Sequence, residues 1–195
     1  ISNVSSGKQG YEIAIALNKL GISTTLITGP SNLFSPKGLK VKKITSGNEM
    51  LNEVKKSLPV DLVVCAAAVS DFKPAEKSKS KIKKENMNLK SINFVKSVDI
   101  LEYISKNNKH RPRLVAGFSA ETESLKKNTI AKIKVKHCDL MFANDVSQKD
   151  IGFNSDYNKI SVIDKKGNIK KIPKNKKSFI ANKIAEILLD KLLID

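Results

Sequence analysis

From Lys8 to Leu20 the apolar residues Ile13, Ala16, Leu17 and Leu20 recur at the three- and four-residue steps of a helix, and Gly21 supplies the stop. Ile22–Thr28 reads as a strand closed by Gly29-Pro30, Lys40–Ile44 as a short strand, and the segment near Asn48–Ser57 as a helix. The run VDLVVCAAA, Val60–Ala68, is almost wholly apolar and predicts a central strand buried on both faces. Lys73–Lys90 carries seven lysines against two acids and predicts an exposed loop. Beyond it the pattern predicts a strand over Leu89–Val95, a helix over Asp99–Ser105, a buried strand over Arg113–Ser119, a helix over Glu123–Lys136 and a strand over Asp139–Ala143. Ile160–Asp164 and Asn168–Ile172 flank Lys165-Lys166-Gly167 as a hairpin. An amphipathic helix, Ser178–Leu193, closes the chain with Ile180, Ile184, Ile187 and Leu188 on one face.

Strands alternating with helices are the mark of βαβ units. They predict one domain over residues 1–195: an α/β, Rossmann-like three-layer sandwich with a mostly parallel central sheet and a C-terminal hairpin plus helix. Ile1-Ser2-Asn3 reads as the end of a strand running into the turn Val4-Ser5-Ser6-Gly7. The start of that strand, or a whole preceding domain, is therefore expected upstream.

The net charge of +17 raises nucleic-acid binding as a possibility. Almost all the cations are lysines, however; Arg111 and Arg113 are the only arginines, there is no Trp, and aromatics make up 5%. Arginine forks and aromatic platforms are what base and phosphate readout favour, so no specific nucleic-acid partner is expected. Small anionic substrates remain compatible with the charge. No apolar run reaches the ~20 residues of a membrane span, and Ile1–Gly10 lacks a secretory pattern, so a cytoplasmic protein without a membrane partner is expected. Cys65 and Cys138 sit among apolar residues and read as buried free thiols.

Ligands of open parallel sheets bind outside the carboxyl ends of the strands. Four small or polar clusters follow predicted strands: Asn3–Gly10, Ala67–Phe72, Gly117–Thr122 and Ala143–Ser147. In the first, a small-residue turn opens a helix, and its N–H groups can hold a phosphate or carboxylate. Simple capping by Ser5 or Ser6 fits equally well, and both readings stay open. The turn is neither GxGxxG nor a phosphate-binding GxxxxGK loop. Asp71 could ligate Mg²⁺ or a ribose hydroxyl; taken alone it reads as a helix N-cap. Lys79–Lys84 is either a solvated charge run or a loop that brings an ammonium onto a triphosphate. Lys132 and Lys136 share a helix face, which alone reads as solvated. His110 and His137 lack partners at metal-ligand spacing, and no Ser-His-Asp arrangement stands out.

Taken together and in order, ISNVSSGKQG, CAAAVSDFKPAEKSKSKIKK, GFSAET, ANDVS and GFNSD resemble phosphopantothenate–cysteine ligase, and more narrowly the synthetase domain fused behind a flavin-dependent decarboxylase in the bacterial bifunctional protein. The resemblance runs from Ile1 to about Asp156. It implies that 4′-phosphopantothenate is activated by CTP to an acyl-cytidylate with loss of pyrophosphate, and that the cysteine amine then displaces CMP. It also implies a homodimer that needs Mg²⁺, with FMN only in the decarboxylase half. Carried over by motif, Asn3 holds the acyl intermediate and Lys81 neutralises the phosphates, both as catalytic residues. Ala67, Ala68, Asp71, Phe118, Lys132 and Lys136, with Lys81, fall at the CTP contacts, and Asp71 is the candidate for Mg²⁺. Asn3, Ser6, Gly7 and Asn144 fall at the substrate, with Asn144 expected from the partner subunit. The family usually reads KNPDI where this chain reads Lys96-Ser97-Val98-Asp99-Ile100, which puts nucleotide contacts from that turn in doubt.

Two other functions compete with this reading. An NAD(P)-dependent oxidoreductase needs GxGxxG and an acid closing the second strand, and that strand ends in Leu26-Ile27-Thr28. A basic nucleic-acid module would show steep salt dependence and no CTP turnover.

Overall fold

The computed structural model describes residues 5–76, 92–107, 109–146 and 155–194. Its elements, in chain order, are α1 (Lys8–Lys19), β1 (Thr25–Thr28), β2 (Lys40–Lys43), α2 (Gly47–Ser57), β3 (Leu62–Cys65), β4 (Phe72–Pro74), β5 (Phe94–Lys96), α3 (Ile100–Ser105), β6 (Leu114–Glu121), α4 (Leu125–Lys136), β7 (Leu140–Asp145), β8 (Tyr157–Asp164), β9 (Ile169–Lys176) and α5 (Lys177–Ile194).

A five-stranded sheet runs β3-β6-β7-β8-β9. β3, β6 and β7 are parallel, and the β8–β9 hairpin extends them antiparallel, so the terminal hairpin belongs to the central sheet. β1 and β2 form a parallel pair of their own. β4 and β5 form an antiparallel pair.

Side chains alternate across a strand, and this alternation builds the three layers. On β6, Leu114 and Ala116 join Leu140 and Phe142 of β7 and Ile160 and Val162 of β8 on one face. There they meet Ile13, Ala16 and Leu17 of α1 and Ile180, Ile184 and Leu188 of α5. Val115, Met141 and Ile163 point to the other face, against Met50 and Leu51 of α2, Ile100 and Ile104 of α3 and Ile133 of α4. Ile184 is fully buried in the first layer, and cutting such a side chain to alanine costs about 2–5 kcal/mol.

The fold class is the expected Rossmann-like sandwich, with corrections at three places. The expected strand Val60–Ala68 shrinks to β3, and its residues are only half-buried: a two-sided apolar run fixes the interior location of a strand but not its ends. Asp71 caps no helix. It leads into β4, where its carbonyl accepts a 2.8 Å hydrogen bond from the Ser97 N–H of the β5 side. The clusters expected beyond β6 and β7 lie largely within those strands, because β6–β7 pairing continues through Glu121↔Asp145.

Candidate active site

Gly7 opens α1 at φ +73°, a left-handed conformation that glycine adopts without a Cβ penalty, and no side chain caps the helix there. Ser6 Oγ accepts weakly from the Lys8 N–H at 3.4 Å, and Ser31 Oγ donates to the Ser6 carbonyl at 3.2 Å. The capping reading is thus met only in part, and the positive end of α1 stays directed at the carboxyl edge of the sheet. α1 packs at Gly10 on the segment after β3, where a Cβ would stand at ordinary contact distance, 3.6 Å from Ala66.

Around this helix start lie two ammonium groups and three amides. Lys8 Nζ is 2.6 Å from Asp156 Oδ1. Their hydrogen bond and charges raise the lysine pKa and lower that of the aspartate. Lys177, at the start of α5, is 3% exposed, and burial followed by the charge of Lys8 depresses its pKa against the pull of Asp156. Asn158, 1% exposed, donates from Nδ2 to Asn144 Oδ1 at 3.2 Å and to Gln9 Oε1 at 3.4 Å. Ser6, Gly7 and Asn144 thus stand near one helix start within a single chain.

Beyond β3, the Val69 N–H bonds the Ala67 carbonyl at 3.1 Å in a tight turn, leaving Ala67 exposed and Ala68 half-buried. Asp71 is exposed. Phe118 lies on the α1 face with its ring centroid 5.1 Å from that of Phe142. β3 stops opposite Gly117, so from Phe118 onward β6 has no β3 partner and its main chain is open on that side.

Lys132 and Lys136 belong to α4, on the opposite face. Lys132 Nζ pairs with Glu121 Oε1 at 2.8 Å. Lys136 pairs at 2.5 Å with Asp99, which also caps α3 by accepting from the Glu102 N–H at 2.8 Å. Burial opposes the Lys136 ammonium, yet Asp99 and Glu102 outweigh it and its pKa is raised. Asp99 thus ties the start of α3 to the end of α4. The expected site residues divide between two faces: Ser6, Gly7, Phe118 and Asn144 on one, Lys132 and Lys136 on the other. Asn3 and Lys81 lie outside the described residues.

Sequence reasoning missed Gln9, Asn158, Asp156 and Lys177 on the first face, and Glu121 and Asp99 as the partners of the lysines. Asp156 closes the GFNSD string, and Gln9 and Glu121 fall within the Asn3–Gly10 and Gly117–Thr122 clusters without being singled out there; Asn158, Lys177 and Asp99 have partners that topology sets. Among the described residues no group of three or more His, Cys, Asp or Glu is arranged to hold a metal ion, and no helix is long and apolar enough to cross a membrane. Both cysteines are free, Cys65 half-buried and Cys138 buried. Burial pushes their thiols up to about 12 and about 11, which leaves neither a thiolate nucleophile at neutral pH.

Residues 1–192 match the DNA/pantothenate metabolism flavoprotein C-terminal domain. The coenzyme A biosynthesis bifunctional protein CoaBC of Borreliella burgdorferi is 39% identical over 189 residues, covering 96% of this chain and 47% of that protein. The Escherichia coli K12 CoaBC is 35% identical over 196 residues, covering 99% and 47%. The chain thus spans about half the length of these relatives. A crystal structure of the C-terminal domain of CoaBC matches with a TM-score of 0.81 and 27% identity over 100% of this chain and 87% of that one. A mutant Cab2 complex with phosphopantothenate-cysteine matches at TM-score 0.74 with 14% identity, covering 100% and 81%, a likeness of fold alone. The chain belongs to the DNA/pantothenate metabolism flavoprotein C-terminal domain family.

Proposed function

We propose that this chain is the phosphopantothenate–cysteine ligase domain of a bifunctional coenzyme A biosynthesis protein, fused to a decarboxylase that holds FMN. The observation that carries the reading is the meeting, at one sheet edge, of the open start of α1 with the amides of Gln9, Asn144 and Asn158. Such a site can hold an anionic acid and orient it; it has no need of a covalent nucleophile. The family membership and the CoaBC relatives support the same assignment.

A carboxylate at neutral pH is a poor electrophile. Attack of its oxygen on the α-phosphate of CTP forms the acyl-cytidylate and expels pyrophosphate; the cysteine amine then attacks the acyl carbon, expels CMP and loses a proton to form the amide. Asn3, Ser6, Gly7 and Asn144 bind and orient the acid substrate. Ala67, Ala68, Asp71, Phe118, Lys132 and Lys136 hold the nucleotide, and Lys81 offsets the phosphate charge. Mg²⁺ fits here only as a partner of the triphosphate: Asp71 is an exposed lone carboxylate, and magnesium is commonly held by one or two carboxylates plus substrate phosphates. The protein acts as a cytoplasmic homodimer.

The test is pyrophosphate release with CTP, 4′-phosphopantothenate and cysteine, run beside ATP and UTP. Release well above the CTP-only blank, and greatest with CTP, is expected. Release no greater than that blank with any nucleotide removes the assignment.

A further inference from the structure

We infer that Asn158 is a positioning residue that fixes which end of the Asn144 amide faces the substrate, so that Asn144 offers an N–H donor and never its carbonyl. The inference rests on the ligase reading for the identity of the substrate, but its geometry stands independently.

A side-chain amide can be turned either way, so its polarity must be set by partners that have only one role. Backbone groups at both ends supply these. The Lys159 N–H can only donate, and it lies 2.9 Å from Asn158 Oδ1. The Lys177 carbonyl can only accept, and it lies 3.4 Å from Gln9 Nε2. With Oδ1 of Asn158 committed to a donor, its Nδ2 must give both protons, one to Gln9 Oε1 and one to Asn144 Oδ1. Gln9, donating to Lys177, is the matching acceptor. Three amides from α1, β7 and β8 are thus locked in one sense by two main-chain anchors.

Asn144 is the open end of this relay. Its Oδ1 is taken by Asn158, and none of the described hydrogen bonds engages its Nδ2. The ligand atom it meets is therefore an acceptor: a phosphate, carboxylate or hydroxyl oxygen of the acid substrate. Burial makes the sense of the relay costly to reverse, because a turned Asn158 would face the Lys159 N–H with its own donor. The site for Asn158 lies where the β8–β9 ladder is irregular, between Asn158 and Ile160, which leaves its side chain aimed at β7 and α1.

The test is Asn158→Asp in the full chain. The carboxylate still accepts from Lys159 but has no protons for Asn144 or Gln9, so Asn144 turns and presents its carbonyl to the substrate anion. KM for 4′-phosphopantothenate should rise on the order of tenfold or more, while KM for CTP stays within about twofold and Asn158→Ser, which retains a donor, recovers part of the loss. Equal rises in both KM values, or a fall in kcat alone, would overturn the inference. Polarity is also read without turnover by NMR of side-chain amides in the unaltered protein, which decides the matter if the variant does not fold or if no ligase activity exists. The Asn158 NH₂ protons should exchange slowly and those of Asn144 fast; the reverse order would equally refute it.

Discussion

The Lys132 ammonium stands 2.8 Å from Oε1 of Glu121, whose side chain is only 7% exposed while that of the lysine is 47% exposed. One partner is thus fixed in the protein and the other reaches it from solvent. Removing the lysine strands a buried carboxylate, which costs more than removing both groups. Lys132→Met should lower unfolding free energy by about 1–3 kcal/mol, and Glu121→Gln/Lys132→Met should restore much of it. Urea unfolding of the three proteins checks this. If Lys132 also contacts nucleotide, the single variant raises KM for CTP and leaves that for 4′-phosphopantothenate unchanged.

Gly7 and Gly10 separate backbone from space. Gly7 holds φ +73°, and a Cβ there would meet nothing nearer than 3.9 Å, so Gly7→Ala suffers from conformation alone. A loss of about 1–2 kcal/mol is expected. Gly10 is helical with 3.6 Å to Ala66, ordinary contact, so Gly10→Ala should be neutral or stabilising by up to about 1 kcal/mol. Thermal melts that rank the two in the opposite order would refute this account of the turn.

Hydrogen bonds from Lys42, then Lys56, hold the Glu53 carboxyl down to about 2 from its ordinary 4.5. A depressed carboxylate stabilises the fold above its unfolded pKa, and this contribution is lost as pH falls from 4.5 through about 2. The urea midpoint of Glu53→Gln should therefore change less across that window than that of the unaltered protein. Parallel curves would show that the pair contributes nothing.

Two expectations rest on residues outside the described set. Lys81→Gln should lower kcat on the order of 100-fold or more with the far-UV spectrum unchanged; normal turnover removes Lys81 from the mechanism. Asn3→Asp should stall the second step, so that rapid-quench mass spectrometry detects acyl-cytidylate. Its absence while pyrophosphate is still released would reassign Asn3.

Much of the fold was legible where periodicity is local. Ile13, Ala16 and Leu17 announced α1, and Ile180, Ile184 and Leu188 announced α5; all six are buried in the same layer. The lysine-rich stretch concealed β4, because Lys73↔Val95 and Phe72↔Lys96 mix charge with apolar residues on a short, exposed pair that has no burial pattern to read, while β5 overlaps the strand expected over Leu89–Val95 only at Phe94 and Val95. The site was legible as strand-end clusters but not as contacts. Gln9 and Asn158 are 149 residues apart, and Lys136 lies 37 residues from Asp99; only the sheet order brings such pairs together. Asp71 illustrates the opposite error, a local capping rule overridden by a strand partner.

The alternation of β6 carries a lesson for engineering. Phe118 looks toward α1 while Ser119 and Glu121 look toward α4, where Ser119 meets Thr129 and Glu121 meets Lys132. A single inserted or deleted residue before Phe118 would trade these audiences wholesale, driving a carboxylate into the layer of α1 and α5 and an aromatic ring toward the lysines. Exchange of single side chains on β6 leaves this division of faces intact, whereas any change in the length of that strand would reverse both sides of the sheet at one stroke.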